Sequence, residues 1–402
     1  MIGTLYKALS GMQGFSKGLD VMSNNISNMN SPGYKGQSLN FRDLFYRYSD
    51  SGAQVGQGMQ TGSSRINFAQ GDFQATGNPL DVAIDGNGFL VLKDGEDEFF
   101  TRAGQLQVDS DGFLVDQSTG HRVQQLLGSG QLQDISINNL EISPPRATAT
   151  VTLNGNLDRN LGTSGTVTRL INNVTVYDSD GVLHTLQIQL ISSVPAVWTV
   201  NVYEPSVSAT AVIGTGQIQY QGNGTPSVGF HTVTVTLTPP ATSGASPSTI
   251  DFEFGEPGST AGTTGYSGAG TNPQVASQDG FPPGALTKMT LSENGTLELT
   301  YSNGETANGP RLALAWFQQL QALTPSGQSL FVNDSGQQAI YAHPDESIMG
   351  KMVAGKIELA NVVLTQQFTE MIIIQRGYQA CSQITSVANE MMQQLLNIQG
   401  QR

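Results

Sequence analysis

A chain of 402 residues exceeds the usual size of one domain and calls for two to four units with room for a sizeable core. Only 12% of the residues are charged and the formal net charge is −14, so no basic patch exists to neutralise phosphates; nucleic acid and anionic membrane surfaces are excluded as partners, and proteins are expected instead. The single cysteine, Cys381, excludes an intramolecular disulfide framework and reads as a small buried hydrophobe.

From the N-terminus, Met1, Leu5, Ala8, Met12, Phe15, Leu19, Met22, Ile26 and Met29 recur in steps of four and three. A seven-residue apolar repeat held for about four heptads predicts a helix whose narrow seam packs on other helices in a left-handed supercoil. Gly11, Gly14 and Gly18 each immediately precede a seam residue. An interior glycine costs roughly 1 kcal/mol relative to alanine but permits close backbone approach, so this helix should be ordered mainly when packed among others. No basic segment leads into a continuous apolar stretch, and no apolar run nears the roughly 20 residues that span a bilayer. Membrane insertion is therefore not expected, nor an ordinary cleaved signal peptide.

The helix should stop near Asn28, because Asn30, Ser31, Pro32 and Gly33 are turn-formers and Pro32 pushes its predecessor out of the helical region. Residues 31–76, with scattered aromatics such as Phe41, Phe45, Tyr46 and Tyr48, read as an extended connector with weak internal order. From Leu80 the apolar period becomes two. Val82 and Ile84 are expected to pair with Phe89-Leu90-Val91-Leu92 across Asp85-Gly86-Asn87-Gly88, and Leu106 and Val108 with Phe113 and Val115 across Asp109-Ser110-Asp111-Gly112. Further hairpins are expected at Asp178-Ser179-Asp180-Gly181 and Glu293-Asn294-Gly295, with short strands between them as in sandwiches or partly closed barrels. Stretches 241–248 and 258–273 are low-complexity surface loops. Residues 312–323 fit either period and are read as strand first. Beyond Ala360 a helical pattern resumes, with Cys381, Ile384, Ala388, Met391, Leu395 and Ile398 repeating the N-terminal steps.

The fold class is thus α+β, with long terminal coiled-coil helices (N and C) and nested, discontinuous all-β domains inserted between them. The expected domains are a terminal helical polymerisation domain (1–30 and 360–402), the connector (31–76), an inner β-domain (77–146 and 281–359) and a distal β-domain (147–280). Periodicity alone leaves two readings of the seam open: an intramolecular coiled coil of the two ends, or a polymerisation interface formed by Leu5, Met12, Phe15, Leu19, Met22, Ile26, Ile384, Met391, Leu395 and Ile398.

Chemistry is sparse. The two Asp-Ser-Asp-Gly turns invite a calcium reading, but an EF-hand loop needs glycine at its sixth position, where this chain has Leu114 and Leu183. His121, His184, His231 and His343 are far apart and form no local metal motif. No nucleophile elbow, P-loop or dinucleotide fingerprint is present. No catalytic residue, metal or cofactor is expected.

The run Asn24-Asn25-Ile26-Ser27-Asn28-Met29-Asn30-Ser31-Pro32-Gly33-Tyr34-Lys35 resembles the N-terminal signature of the bacterial flagellar rod and hook family, with Ser27 and Ser31 as mild departures. Residues 77–84 and Phe100-Thr101-Arg102-Ala103-Gly104 are similar to the family's next landmarks, and Gln375, Arg376, Tyr378 and Gln379 to its C-terminal motif. Rod members of that family are shorter, whereas the stretch 147–280 here resembles the large insertion of the hook member. The resemblance implies a subunit exported unfolded and added to a curved helical homopolymer, a flexible joint passing torque from rod to filament. The partners it implies are further copies of the chain, the flagellar rod, the hook cap, the hook–filament junction proteins and the flagellar export apparatus. It also implies an extracellular place in the flagellum. A distal rod protein and a secreted adhesin-like module are the alternatives.

Overall fold

The computed structural model describes residues 2–44, 46–48, 54–56, 58–161, 165–207, 211–239 and 244–399. Its only two α-helices among them are terminal: α1 spans Ile2–Ser27 and α2 spans Leu364–Gln399, with β-structure between. Helix α1 ends where the turn-formers begin, and Gly33 takes φ +67°, a left-handed conformation that glycine adopts without penalty. No helix among the described residues is long and apolar enough to cross a membrane.

The chain forms two units. The first comprises Met1–Asn139, Lys288–Leu299 and Ala307–Arg402; the second comprises Leu140–Thr287 and Thr300–Thr306.

In the first unit α1 and α2 run antiparallel, with Phe15 against Gly377, Gly11 against Cys381 and Gly18 against Ile374. The connector is more ordered than its composition suggests, since Gln37–Asp43 pairs antiparallel with Met59–Ile66 and this ribbon packs along α1. Phe15 meets Phe41 of the ribbon with ring centroids 5.8 Å apart. Phe45 lies outside the described residues, as do the side chains of Tyr46 and Tyr48.

The main sheet of this unit is centred on Phe89–Asp94, which pairs with Asp97–Thr101, Arg122–Leu126 and Leu314–Trp316. Its apolar face buries Phe89, Val91, Phe100, Ala313, Ala315, Phe317 and Phe331 as one cluster. The hairpin expected between Val82 and Leu92 does not form. Val82–Asp85 pairs instead with Lys351–Ala354, and Phe73–Ala75 with Lys356–Glu358, so the early strands take partners from the far end of the sequence. The turn at 109–112 does close a hairpin: Asp109 Oδ1 accepts the backbone N–H groups of Asp111 and Phe113, and Gly112 takes φ +75°. Residues 312–323 are a strand, Leu314–Trp316, followed by a single 3-10 turn, Leu320–Ala322.

The second unit contains a four-stranded meander, Val167–Tyr177, Leu183–Val194, Val197–Tyr203 and Val212–Gln219. A second sheet combines Thr150–Asn156 with Ser248–Glu253, Thr232–Leu237, Thr263–Thr264 and Gln274–Gln278. Alternate residues of both sheets point into one core around the fully buried Trp198, Phe252 and Phe254, the arrangement of a sandwich. Gly214 and Gly216 let strand 212–219 approach 232–237 closely; a Cβ at either would lie within 2.8 Å of Val235 or Val233.

Candidate assembly surface

Asn25 is the centre of the N-terminal motif. It lies on the face of α1 that carries Gly11 and Gly18, is 1% exposed, and satisfies its amide in every direction. Its Nδ2 donates to the Gln37 carbonyl at 2.7 Å and to Gln367 Oε1 of α2 at 2.9 Å, while its Oδ1 accepts from Gln37 N at 2.9 Å and from the Tyr34 hydroxyl at 3.2 Å. Asn24 Nδ2 donates to the same hydroxyl, and Asn28 Nδ2 donates back to Asn24. Burial raises the Tyr34 phenol above its ordinary range, so this hydroxyl stays protonated and able to donate.

Gly33 then turns the chain with no room for a side chain, since a Cβ would sit 2.3 Å from Ala103 N. Its own N–H donates to the Glu358 carbonyl at 2.8 Å. The turn delivers Lys35 into a buried charge cluster. Lys35 Nζ lies 2.5 Å from Glu358 Oε1, Arg102 Nη1 lies 3.4 Å from Oε2, and the Gly71 N–H donates to Oε1 at 2.8 Å. Arg102 also donates to the carbonyls of Ile84 and Gly86 and covers the Phe89 ring at 5.2 Å. Burial holds the Lys35 ammonium below the usual lysine range, with Glu358 opposing that and Arg102 adding to it. Asn361 completes the junction, taking the Gly36 N–H and donating to the carbonyls of Asn67 and Ala69. Sequence reasoning missed Glu358, Asn361 and Gln367, which carry no local mark. Arg102 was in view only as part of the 100–104 run.

The helix seam is split. On α1, Met22 is buried, and Leu5, Met12, Phe15, Leu19 and Ile26 are half-buried. Met12 Sδ accepts from Thr385 Oγ1, and Phe15 fills the space over Gly377. On α2, Gln367, Ile374, Gly377, Cys381 and Thr385 meet α1, and Ala388 is buried. Ile384, Met391 and Leu395 are 46%, 54% and 48% exposed, and with Ile373 and Val387 they form an apolar stripe that α1 leaves uncovered. At 3.6 residues per turn these positions lie up to about a third of a turn from the covered seam. Thr4, Ile384, Val387 and Met391 line an apolar groove of about 450 Å³ along this stripe. The Ile398 side chain lies outside the described residues. The C-terminal motif residues Gln375, Arg376, Tyr378 and Gln379 are all exposed, on the outward part of α2. Among the described residues no cluster of His, Cys, Asp and Glu is suited to a metal ion.

Compared with known proteins, residues 5–35 match the flagella basal body rod protein family and residues 83–168 the flagellar hook protein FlgE/F/G D1 domain. Residues 163–281 match the flagellar basal body protein FlaE D2 domain, and residues 353–398 the C-terminal region of the flagellar basal body rod FlgEFG proteins. Flagellar hook protein FlgE of Treponema pallidum is 31% identical over 464 aligned positions covering 99% of this chain and 100% of that protein. The chain belongs to the flagellar hook protein family. The hook proteins FlgE of Borreliella burgdorferi and Escherichia coli K12 are 28% and 27% identical; the first alignment covers 99% of this chain and 100% of the relative, the second 98% and 99%. The crystal structure of Helicobacter pylori flagellar hook protein FlgE2 is 14% identical with a TM-score of 0.43, covering 69% of this chain and 98% of that one. In this member of the hook protein family, Asn24, Asn25, Asn28, Tyr34 and Gln367 of the Asn25 network and the uncovered stripe of α2 fall inside the two terminal matches, 5–35 and 353–398.

Proposed function

We propose that this chain, a structural subunit of the flagellar hook, polymerises through its terminal helices into a curved tube that couples rod to filament. The observation that carries the reading is the stripe Ile373, Ile384, Val387, Met391 and Leu395, which α1 leaves uncovered. An apolar helical face of this length in water is a site for other helices. The two open readings of the seam then combine: one flank of each helix closes the subunit on itself, and the other meets neighbouring copies in coiled-coil fashion. Full-length similarity to hook proteins and the match over 163–281 favour the hook over a distal rod protein or an adhesin. The terminal helices with 1–30 and 360–402 form the inner layer of the tube, and the β-domains over 77–146 with 281–359 and over 147–280 form outer layers. Its partners are the rod, the hook cap, the junction proteins and the export apparatus, and it works outside the cell without cofactor or catalysis.

Because Ile384 and Leu395 are exposed in the single subunit, changing them leaves folding intact while removing intersubunit burial. The double variant Ile384→Glu, Leu395→Glu should melt like the parent yet form no tubes by electron microscopy and sedimentation. Tubes of normal yield from that variant would end the proposal.

A further inference from the structure

We propose that His184 is a proton-operated latch that holds the 178–182 turn of the second unit to the strand end at Glu204.

Four observations support this placement. His184 Nδ1 lies 2.7 Å from Glu204 Oε1, and Nε2 lies 3.2 Å from Asp178 Oδ2. All three side chains are buried, at 9%, 4% and 1% exposure. Asp178 is committed as an acceptor, because its Oδ1 takes the backbone N–H groups of Asp180 and Val182 at 3.0 and 2.8 Å. Glu204 Oε1 also accepts from the Ser206 hydroxyl.

A neutral imidazole has one N–H and one lone pair. With carboxylates against both ring nitrogens, the neutral form turns its lone pair toward a carboxylate oxygen, whereas the imidazolium donates to both. The arrangement is complementary only to the protonated ring. The acidic groups around it are Asp178 and the exposed Asp180 from the turn and Glu204 from the strand end. Among the described residues no lysine or arginine forms an ion pair with Asp178 or Glu204.

Burial works against the imidazolium, but the hydrogen bonds and charges of Glu204 and Asp178 outweigh it and raise His184 above the ordinary histidine range. Burial likewise opposes the Asp178 carboxylate, and the Val182 and Asp180 N–H groups together with His184 outweigh it and lower that group below the ordinary range. The stabilisation from His184 is therefore complete below the pKa of a free histidine, about 6.5, and is lost as pH rises through the raised folded value. That from Asp178 is complete above the free aspartate value and is lost only in acid. The latch is closed between these limits and opens on the alkaline side, leaving two buried carboxylates on a neutral ring.

The test uses the full chain labelled at histidine ring nitrogens and followed by NMR from pH 5 to 10. The titration midpoint of the His184 ring should lie above that of a free histidine, with both ring nitrogens protonated below it; a midpoint at or below the free value would overturn the proposal. The thermal unfolding temperature of the second unit should fall from pH 6 to pH 9, and His184→Gln should flatten that dependence. An equal pH slope in a folded His184→Gln protein would also overturn it. Should the variant fail to fold, the titration of the parent chain decides alone.

Discussion

Replacing Glu358 by glutamine keeps its shape but leaves Lys35 and Arg102 buried with only carbonyl partners. Removing one partner of a buried ion cluster costs about 3–5 kcal/mol, so Glu358→Gln should lower the denaturant midpoint of the first unit steeply with little change in slope. A loss below about 1 kcal/mol would mean that Lys35 and Arg102 find water instead. At this scale the sequence was half readable. Asn24, Asn25, Asn28, Gly33 and Tyr34 stand in one run, and the structure draws the three asparagines and Tyr34 into one network through the Tyr34 hydroxyl and the Asn25 amide. Gly33 also explains itself, since its positive φ and the nearby Ala103 backbone exclude any side chain. Glu358 was not readable, because it lies 323 residues from Lys35 and nothing in its neighbourhood announces a buried carboxylate.

Among the elements, local signals were reliable only where the partner was local. The Asp-Ser-Asp-Gly turns at 109–112 and 178–181 close hairpins because the first aspartate caps two N–H groups of its own turn. Asp85-Gly86-Asn87-Gly88 is equally rich in turn-formers yet closes none, since strand 351–354 takes the place beside Val82–Asp85 and Gly350 N–H donates to the Asn87 carbonyl. Competition from a distant strand cannot be seen in a window of ten residues. The seven-residue repeat found both helices but not which flank faces inward, because Ile384 and Met391 of the repeat on α2 stay exposed. The glycines are more informative. A Cβ at Gly11 would sit 2.7 Å from Cys381 Sγ, so Gly11→Leu should force the helices apart. Overpacking of about 1–3 kcal/mol outweighs the roughly 1 kcal/mol that the helix gains in propensity. A net fall in helical melting temperature is expected, and a rise would show that α1 and α2 are not packed this closely in solution.

For the whole molecule, the solvent side of the meander is a polar face whose side chains bond to one another. Tyr203 donates to Gln189 and Thr215 to Asn201, each at 2.9 Å, so these groups already satisfy one another across the strands. Neighbours meeting such a face need no direct bonds and can keep bridging water, which is nearly as favourable. In a bent tube, contacts of this kind slide where dry packed ones would jump between fixed arrangements. Gln187→Leu with Gln189→Leu should therefore stiffen the polymer, read as a longer persistence length in micrographs. Unchanged bending would remove the meander from the account of flexibility.

The meeting of Lys35, Arg102 and Glu358 also sets an order in time. In a chain that emerges residue by residue from a ribosome or a narrow channel, the first two wait as orphaned cations until most of the remaining length has followed. Closing so long a loop is slow, so an emerging molecule stays pliable well after its early hairpins have formed. The cluster thus acts as a late checkpoint, and truncation anywhere before residue 358 should yield a chain that collapses but never sets.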